Sequence, residues 1–522
     1  MPSTFIEGTV NLASLTVPGT YIDIIPPTPF VVGAPTNRMG IVGVAQWGPV
    51  GAPVAMSTPD DCAGYFGKPV VRSYDMPTYV WAGSQQGSAV AWYGVRVTDT
   101  TDVAATATVQ TNCLTLTGKY TGSLGNQISF VVATGSQANT FAVSISFPGR
   151  VPETYNNIPG TGNTFWVNVA AAINNGNVTR GASQWVTASA GAGTTAPTLG
   201  TSVTLSGGTD GATGVTPSML LGSDTLPRKG MYALRATLCD AFALCDVTDV
   251  TTWTSQASFA LNENMLAVLT TASGDSIANA TASRVTNALD YFYAWLIMGD
   301  WPSFNDQQNG YVRLVSPQAA GLALLGNLSP EQSPLNKQLN TVVQTQRSIQ
   351  SIPYSDADIS IAELGGIDLI VPPANTPGGN YFSFITGRNS SSNTAGNGIE
   401  YSRMTFFLAR SFKTVGGKFV GKLQSVQAND PTRLAAWFAY NSFMSDLATP
   451  ALGSGGYGMI DQWQVICDLT NNTPTLQARG FLFVYVTVRY LNVVRYFVIK
   501  LAGGGNVVVT TQNTVPSAAQ FS

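Results

Sequence analysis

The recurrence of apolar residues changes twice along this chain, and each change marks a point where one kind of layer must give way to another. Up to about Thr98 the signals are those of a buried sheet with a covering helix. Met39–Val44 (MGIVGV) and Ala89–Val97 (AVAWYGVRV) are short, nearly all-apolar runs, and Tyr74–Gln85 between them is the best helical stretch, which predicts a βαβ-like unit. From Thr98 to about Gly208 the chain turns to Thr, Ala, Gly, Ser and Asn with alternating runs such as Ile128–Ala133 (ISFVVA) and Phe141–Phe147 (FAVSISF), which predicts a small β domain set into a loop. At Gly207–Gly211 (GGTDG) helix and strand signals begin to alternate. Helices are expected at Gly230–Leu244 and Ser316–Leu325, the latter with Ser316 as cap and Pro317 in the first turn, and strands at Leu266–Thr270 and Ala294–Met298. This reads as a further α/β layer.

The last third is mixed again. Asp430-Pro431 opens a helix on which Leu434, Trp437, Phe438, Met444 and Leu447 are expected to form a core stripe. Strands are expected at Gln464–Asp468, Phe481–Val488 and Tyr496–Leu501. Both ends are different. Pro18, Pro26, Pro27 and Pro29 punctuate the first thirty residues around Thr20–Ile25 (TYIDII), and the tail from Gly503 is Gly-, Thr- and Asn-rich around Val507–Thr511 (VVVTT). Neither end has enough apolar residues to fold alone, so each is expected to lie against another surface as an extended strand.

Charge then narrows the function. Only 10% of the residues are charged, against roughly 25% in an ordinary soluble domain. So little charge suggests that much of the surface is covered by other subunits. The net charge of −3 argues against nucleic-acid binding. There is no histidine at all, which removes Ser-His-Asp and Cys-His catalysis and the HExxH zinc helix. No phosphate loop, dinucleotide fingerprint or GxSxG elbow is present, and the densest acidic group, Asp356, Asp358, Glu363 and Asp368, reads first as solvated surface. Neither an enzyme nor a cofactor is expected.

Five cysteines, Cys62, Cys113, Cys239, Cys245 and Cys467, contain no CxxC pair. They are open to two readings: free thiols of a chain folded in a reducing cytoplasm, or disulfides between subunits, which the odd count permits. Met1–Val10 has neither a basic start nor an apolar run, so no signal peptide is expected. The most apolar stretch, Phe481–Leu501, holds Arg489, Arg495 and Lys500 and reads as strands, so no membrane insertion is expected. Between Tyr401 and Arg433 stand Arg403, Arg410, Lys413, Lys418, Lys422 and Arg433 with Asp430 opposing them. They make either a solvated face or a match to an acidic partner.

An ordered series of short motifs runs through these segments: Pro18–Ile25 (PGTYIDII), Gly40–Val54 (GIVGVAQWGPVGAPV), Tyr65-Phe66-Gly67, Gly122–Val131 (GSLGNQISFV), Gly207–Gly211, Leu364–Ile370 (LGGIDLI), Ile385–Ser390 (ITGRNS) and Val465–Asn472 (VICDLTNN). In this order they resemble the tail sheath family of contractile phages and related injection machines, with Ile replacing a Glu in the first motif. The middle, roughly 135–205, matches little.

The resemblance implies a mixed α+β multidomain α/β fold. Its core would be built from residues 29–110 and 351–502. An inserted β domain would occupy 111–208, an inserted α/β domain 209–350, and linking arms 1–28 and 503–522. It further implies a non-enzymatic subunit of the virion tail, assembled in the host cytoplasm into helical rings around a tail tube, with tube, baseplate and tail terminator proteins as partners. The arm strands would be centred on Tyr21, Ile22 and Ile24 and on Val507, Val508 and Val509. The tube-facing bases would be Lys418, Lys422 and Arg433. The sheath of a related injection system is the nearest alternative. A self-assembling surface or adhesin protein is the more distant one, since it would ordinarily carry a signal peptide and repeats.

Overall fold

The computed structural model describes residues 33–371, 381–450 and 458–495, together with two short strands near the N-terminus, β1 (Ser3–Ile6) and β2 (Tyr21–Ile24), which pair in parallel. The chain then enters the centre of the molecule as β3 (Arg38–Gly43), followed by β4 (Pro53–Met56), α1 (Pro59–Tyr65), α2 (Met76–Ser84) and β5 (Ala91–Arg96). β3 and β5 are parallel and α2 crosses between them, so the βαβ expectation holds. Asp75 caps α2 by accepting from Thr78 N at 3.2 Å, with Pro77 in the first turn.

The insertion follows. It begins at β6 (Ala104–Val109), somewhat before 111, and continues with β7 (Leu114–Thr121), β8 (Ser129–Thr134), β9 (Thr140–Ser146), β10 (Glu153–Pro159), α3 (Gly162–Asn175), β11 (Val186–Ala190) and β12 (Ser202–Thr204). These strands form two antiparallel sheets, β10-β9-β8-β12 and β11-β7-β6, around a core that includes Phe130, Ile145, Tyr155, Phe165 and Trp166. Its base is fastened to the centre. Trp47 from the β3–β4 loop packs 5.7 Å from Tyr120 and from Phe147. The wholly buried Arg96 donates to the carbonyls of Gly48, Thr121 and Asp210, thereby touching the start and the end of the insertion. Gly122 has φ +136, and a Cβ there would stand 2.0 Å from Gln46 O, so the GSLGN turn presses on the β3–β4 loop as only glycine can.

The chain returns through α4 (Pro217–Leu221), β13 (Ala241–Leu244), α5 (Trp253–Glu263), β14 (Leu266–Thr270), α6 (Ile277–Thr286), β15 (Ala294–Ile297), the hairpin β16 (Ser303–Asp306) and β17 (Tyr311–Leu314), α7 (Pro317–Asn327), α8 (Gln346–Ile349) and α9 (Asp356–Leu364). Here the structure corrects the sequence reading twice. Residues 209–350 do not build a sheet of their own: β13, β14 and β15 join β3 and β5 in one six-stranded sheet of order β15-β14-β13-β3-β5-β4, parallel except at β4. Nor is Gly230–Leu244 a helix. A 3-10 turn at Gly230–Leu234 gives way to left-handed Ala236 and Leu238 and then to β13.

Because strand side chains alternate, Met39, Ile41, Ala241, Ala243 and Cys245 face a core shared with α2 and α7, while Val42, Phe242 and Leu244 face one shared with α5, α6 and α9. The centre is therefore a three-layer α/β/α body with apolar strands covered on both faces. Beyond it lie β18 (Ile370–Val371), β19 (Ser383–Phe384), α10 (Ile399–Gly416), α11 (Pro431–Ala448), β20 (Ile460–Ile466), α12 (Pro474–Ala478) and β21 (Tyr485–Tyr490). α10, α11 and the β20–β21 pair enclose a further core around Met404, Phe407, Phe443 and Met444.

Candidate functional site

The surface most suited to holding another chain is the C-terminal unit, which is fixed to the central sheet by buried charge. Asp240, just ahead of β13, accepts from Arg403 Nε at 2.7 Å and from Arg410 Nη2 at 2.5 Å, both on α10 and with every charged group buried. Arg403 also donates to the carbonyls of Leu325, Leu328, Ser329 and Thr36. These carbonyls offset the second positive charge that one carboxylate cannot balance.

The expected basic field is thereby halved. Arg403 and Arg410 are structural, and Arg433, expected to face a tube, is 1% exposed. Its guanidinium donates to Ser425 O at 3.2 Å and to Gln427 O, closing the loop between α10 and α11. A guanidinium beside converging carbonyls is better served inside than in water, and sequence alone does not show the carbonyls. Lys413, Lys418 and Lys422 remain exposed, and Lys422 Nζ lies 5.2 Å from the Phe419 ring centroid.

β20 and β21 are antiparallel, with Val465 opposite Val486 and Trp463 opposite Val488. Their inner face packs on α11, where Trp437 Nε1 donates to Val465 O at 3.1 Å and Trp463 Nε1 to Asn441 Oδ1 at 3.2 Å. Asp461, Gln464, Tyr485, Thr487 and Arg489 face outward. The VICDLTNN turn holds the pair together: Asn472 Nδ2 donates to Phe483 O at 2.9 Å, and Phe483 N donates to Asn472 Oδ1 at 2.6 Å. Among the described residues no further strand pairs with the outer edge of either. Large apolar side chains are exposed nearby, including Val420, Leu423, Phe481, Leu434 and Phe438, the last two 44% and 64% exposed. The expected α11 stripe thus fails at these two positions, because the buried face instead carries Arg433, Ala436, Ala439, Tyr440 and Phe443.

Of the arm residues, Tyr21, Ile22 and Ile24 lie in β2, whereas Val507, Val508 and Val509 and the run Tyr496–Leu501 lie outside the described residues. Of the two readings of the cysteines, the structure fits free thiols and not disulfides between subunits. Cys62, Cys113, Cys239, Cys245 and Cys467 are all free and all buried, so none presents sulfur to a neighbour. Burial pushes the Cys239 thiol up to about 12 and that of Cys467 to about 11, and it raises Cys62 and Cys245 as well, which makes these thiols inert.

Parallel α/β sheets ordinarily bind ligands beyond the carboxyl ends of their strands. Here two of the chain's own carboxylates stand at that place, beside an open cavity of about 590 Å³ lined in part by Arg72, Asp246 and Arg313. Asp75 occupies the N-terminus of α2, accepting from Arg72 Nε at 2.9 Å and Thr78 Oγ1 at 2.6 Å. Asp246, at the end of β13, accepts from Tyr74 N and Tyr79 OH at 3.1 Å, and burial lifts its carboxyl to about 6.

The acidic group noted in the sequence does not converge. Asp358 closes a capping box with Ser355, Glu363 pairs with Arg388, and Asp368 is buried, accepting from the N–H groups of Leu369, Thr386 and Gly387 and from Trp295 Nε1. Among the described residues no cluster of three or more acidic or thiol side chains could hold a metal, and no helix is long and apolar enough to cross a membrane.

A layered α/β centre with an inserted β sandwich and an open C-terminal hairpin defines a class, the fold of contractile sheath subunits. The chain superposes on the sheath tail protein of Desulfitobacterium hafniense with a TM-score of 0.53 and 18% identity, over 86% of this chain and 93% of that one. The sheath tail protein of Listeria innocua gives 0.54 and 14%, over 88% and 96%. The helical sheath of the anti-feeding prophage in its contracted state gives 0.53 and 10%, over 94% and 99%. Neither a family model nor a curated protein sequence matches the chain. At these identities the likeness is one of fold, and it extends over nearly the full length of each sheath chain.

Proposed function

We propose that this chain is the structural subunit of a contractile tail sheath, polymerising as helical rings around a tail tube. The observation that carries this reading is the fold, which spans 86–94% of the chain and nearly all of each sheath protein compared. The unpaired edges of β20–β21 support it from the chain itself. An exposed sheet edge is a template for another strand, and β-augmentation supplies affinity through main-chain hydrogen bonds of about 0.5–1.5 kcal/mol each. Arms at both ends, donated to neighbours' hairpins, would link subunits while letting them slide past one another. Such contacts are heterologous and do not close, so they generate a filament.

Within this reading the partners are further copies of the chain, a tube protein, and baseplate and terminator proteins at the two ends. The place of action is the virion tail after assembly in the host cytoplasm, and the role is mechanical rather than enzymatic. Lys418 and Lys422 are the bases proposed to meet an acidic tube. A sheath of an injection particle is a second reading, favoured by the contracted anti-feeding prophage sheath, which covers more of this chain than the two sheath tail proteins do.

Two experiments test the proposal. The chain lacking residues 503–522 is expected to stay monomeric where the full chain sediments as polymer; normal tubes from the truncated chain would contradict arm linkage. Replacing Lys418 and Lys422 with alanine is expected to weaken assembly on a tube more than self-assembly. Equal weakening of both would remove the tube-facing role.

A further inference from the structure

One outward face of the central body lacks the charge that a solvated helix pair carries. α6 and α9 pack against each other on one side of the sheet, with Ile277, Ala280 and Ala362 turned into the core beneath them. The two helices meet at their ends. A Cβ on Gly365 would stand 3.0 Å from Thr281 Oγ1, and one on Gly366 would stand 3.1 Å from Arg284 Nε. On the outer side, Ala278, Ala282 and Val285 recur at helical spacing along α6, and Ala357, Ile361 and Leu364 along α9. Val285, Ile361 and Leu364 are 67%, 51% and 85% exposed.

The charges of these helices are engaged elsewhere. Arg284 turns to Ser390 O and Asp290, Asp358 closes the capping box with Ser355, and Glu363 pairs with Arg388, which leaves Asp356 at the rim. A surface helix ordinarily sets charged or polar residues on its outer side, so an apolar outer side marks a surface that another molecule covers.

The size of the face indicates what covers it. Helices of ten and nine residues are about 15 and 14 Å long, and packed axes lie about 8–10 Å apart, so the face measures roughly 300 Å². A stable pair of proteins buries about 800 Å² on each side. A face this small holds no separate partner by itself. It contributes in a polymer, where every copy presents it at each step and other contacts keep the copies together. Having no charge to match, it fits a second charge-poor surface, and only 10% of this chain's residues are charged.

Resting on the sheath reading, we infer that the outer face of α6 and α9 is a contact with a second copy of this chain, made by the folded body and separate from the arms. It is open in the monomer and dry in the polymer.

The native cysteines are free and buried, so a cysteine introduced on this face is the reactive one in the chain. Ile361→Cys and Leu364→Cys, made separately, are treated with a maleimide as monomer and as tubes. Labelling is expected to be at least about tenfold slower in tubes. Leu364→Lys is expected to raise the protein concentration needed for tubes about tenfold and to leave thermal unfolding of the monomer unchanged, whereas Leu364→Met should alter neither. Equal labelling rates in monomer and tubes, or tubes from Leu364→Lys at the ordinary concentration, would overturn the inference and leave the face to water or to a different partner. Failure of the unaltered chain to form tubes would overturn the sheath reading itself, and this contact with it.

Discussion

At the residue scale the molecule depends on a few buried charges whose partners come from far along the chain. Asp240 pairs with both Arg403 and Arg410 from more than 160 positions away. Replacing Asp240 with alanine leaves two guanidinium groups without their carboxylate and is expected to cost about 3–5 kcal/mol in chemical denaturation of the monomer. A loss under 1 kcal/mol would mean that the carbonyls alone satisfy them. Asp368 gives a different signature. Burial lifts its carboxyl to about 6, above its ordinary value of 3.8, so the folded state holds its proton more tightly than the unfolded one. Its contribution is therefore present in full below pH 4 and is lost as pH rises through 6. Monomer stability is expected to fall by roughly 1–3 kcal/mol between pH 4 and 7 from this group. In Asp368→Asn that component should vanish, at a cost in overall stability because the amide NH2 faces N–H donors. These pairings were not legible in the sequence. Arg403, Arg410 and Arg433 look like surface charge until the distant carboxylate and carbonyls are placed beside them.

At the element scale, local signals succeeded where a cap or an alternation was strong. Asp75 before α2, Ser316 before α7 and Asp430 before α11 each accept a backbone N–H at the helix start. The failures have physical causes. AFAL in β13 is a short apolar run that periodicity cannot assign, and only its pairing with β3 makes it a strand. α3 falls in the stretch where the sheath motifs are silent. The α11 stripe was misread because alanines and an arginine take the inner face, leaving Leu434 and Phe438 outside. This yields a prediction specific to α11: Leu434→Ala and Phe438→Ala should change monomer stability by less than about 0.5 kcal/mol and still reduce polymer formation. Phe443→Ala should cost about 3–5 kcal/mol. If polymer formation is unchanged in the first two, the outward face of α11 is not a subunit contact.

At the scale of the whole molecule, the sheath resemblance anticipated the mixed α/β layers, the inserted β sandwich and the extended N-terminal strand. It misplaced residues 209–350, because parallel pairing between β3 and β13 spans about two hundred residues and leaves no local mark. The outcome is a single sheet that ties the first and middle thirds together, an insertion held at its base by Trp47 and Arg96, and a C-terminal unit docked through Asp240. In the proposed sheath role such a body would move as one piece while its joints bend. The most direct test of this account is negative-stain imaging of the purified full-length chain. Hollow tubes with a regular helical repeat are the predicted result. Monodisperse particles or closed rings under every condition of salt and concentration would contradict it.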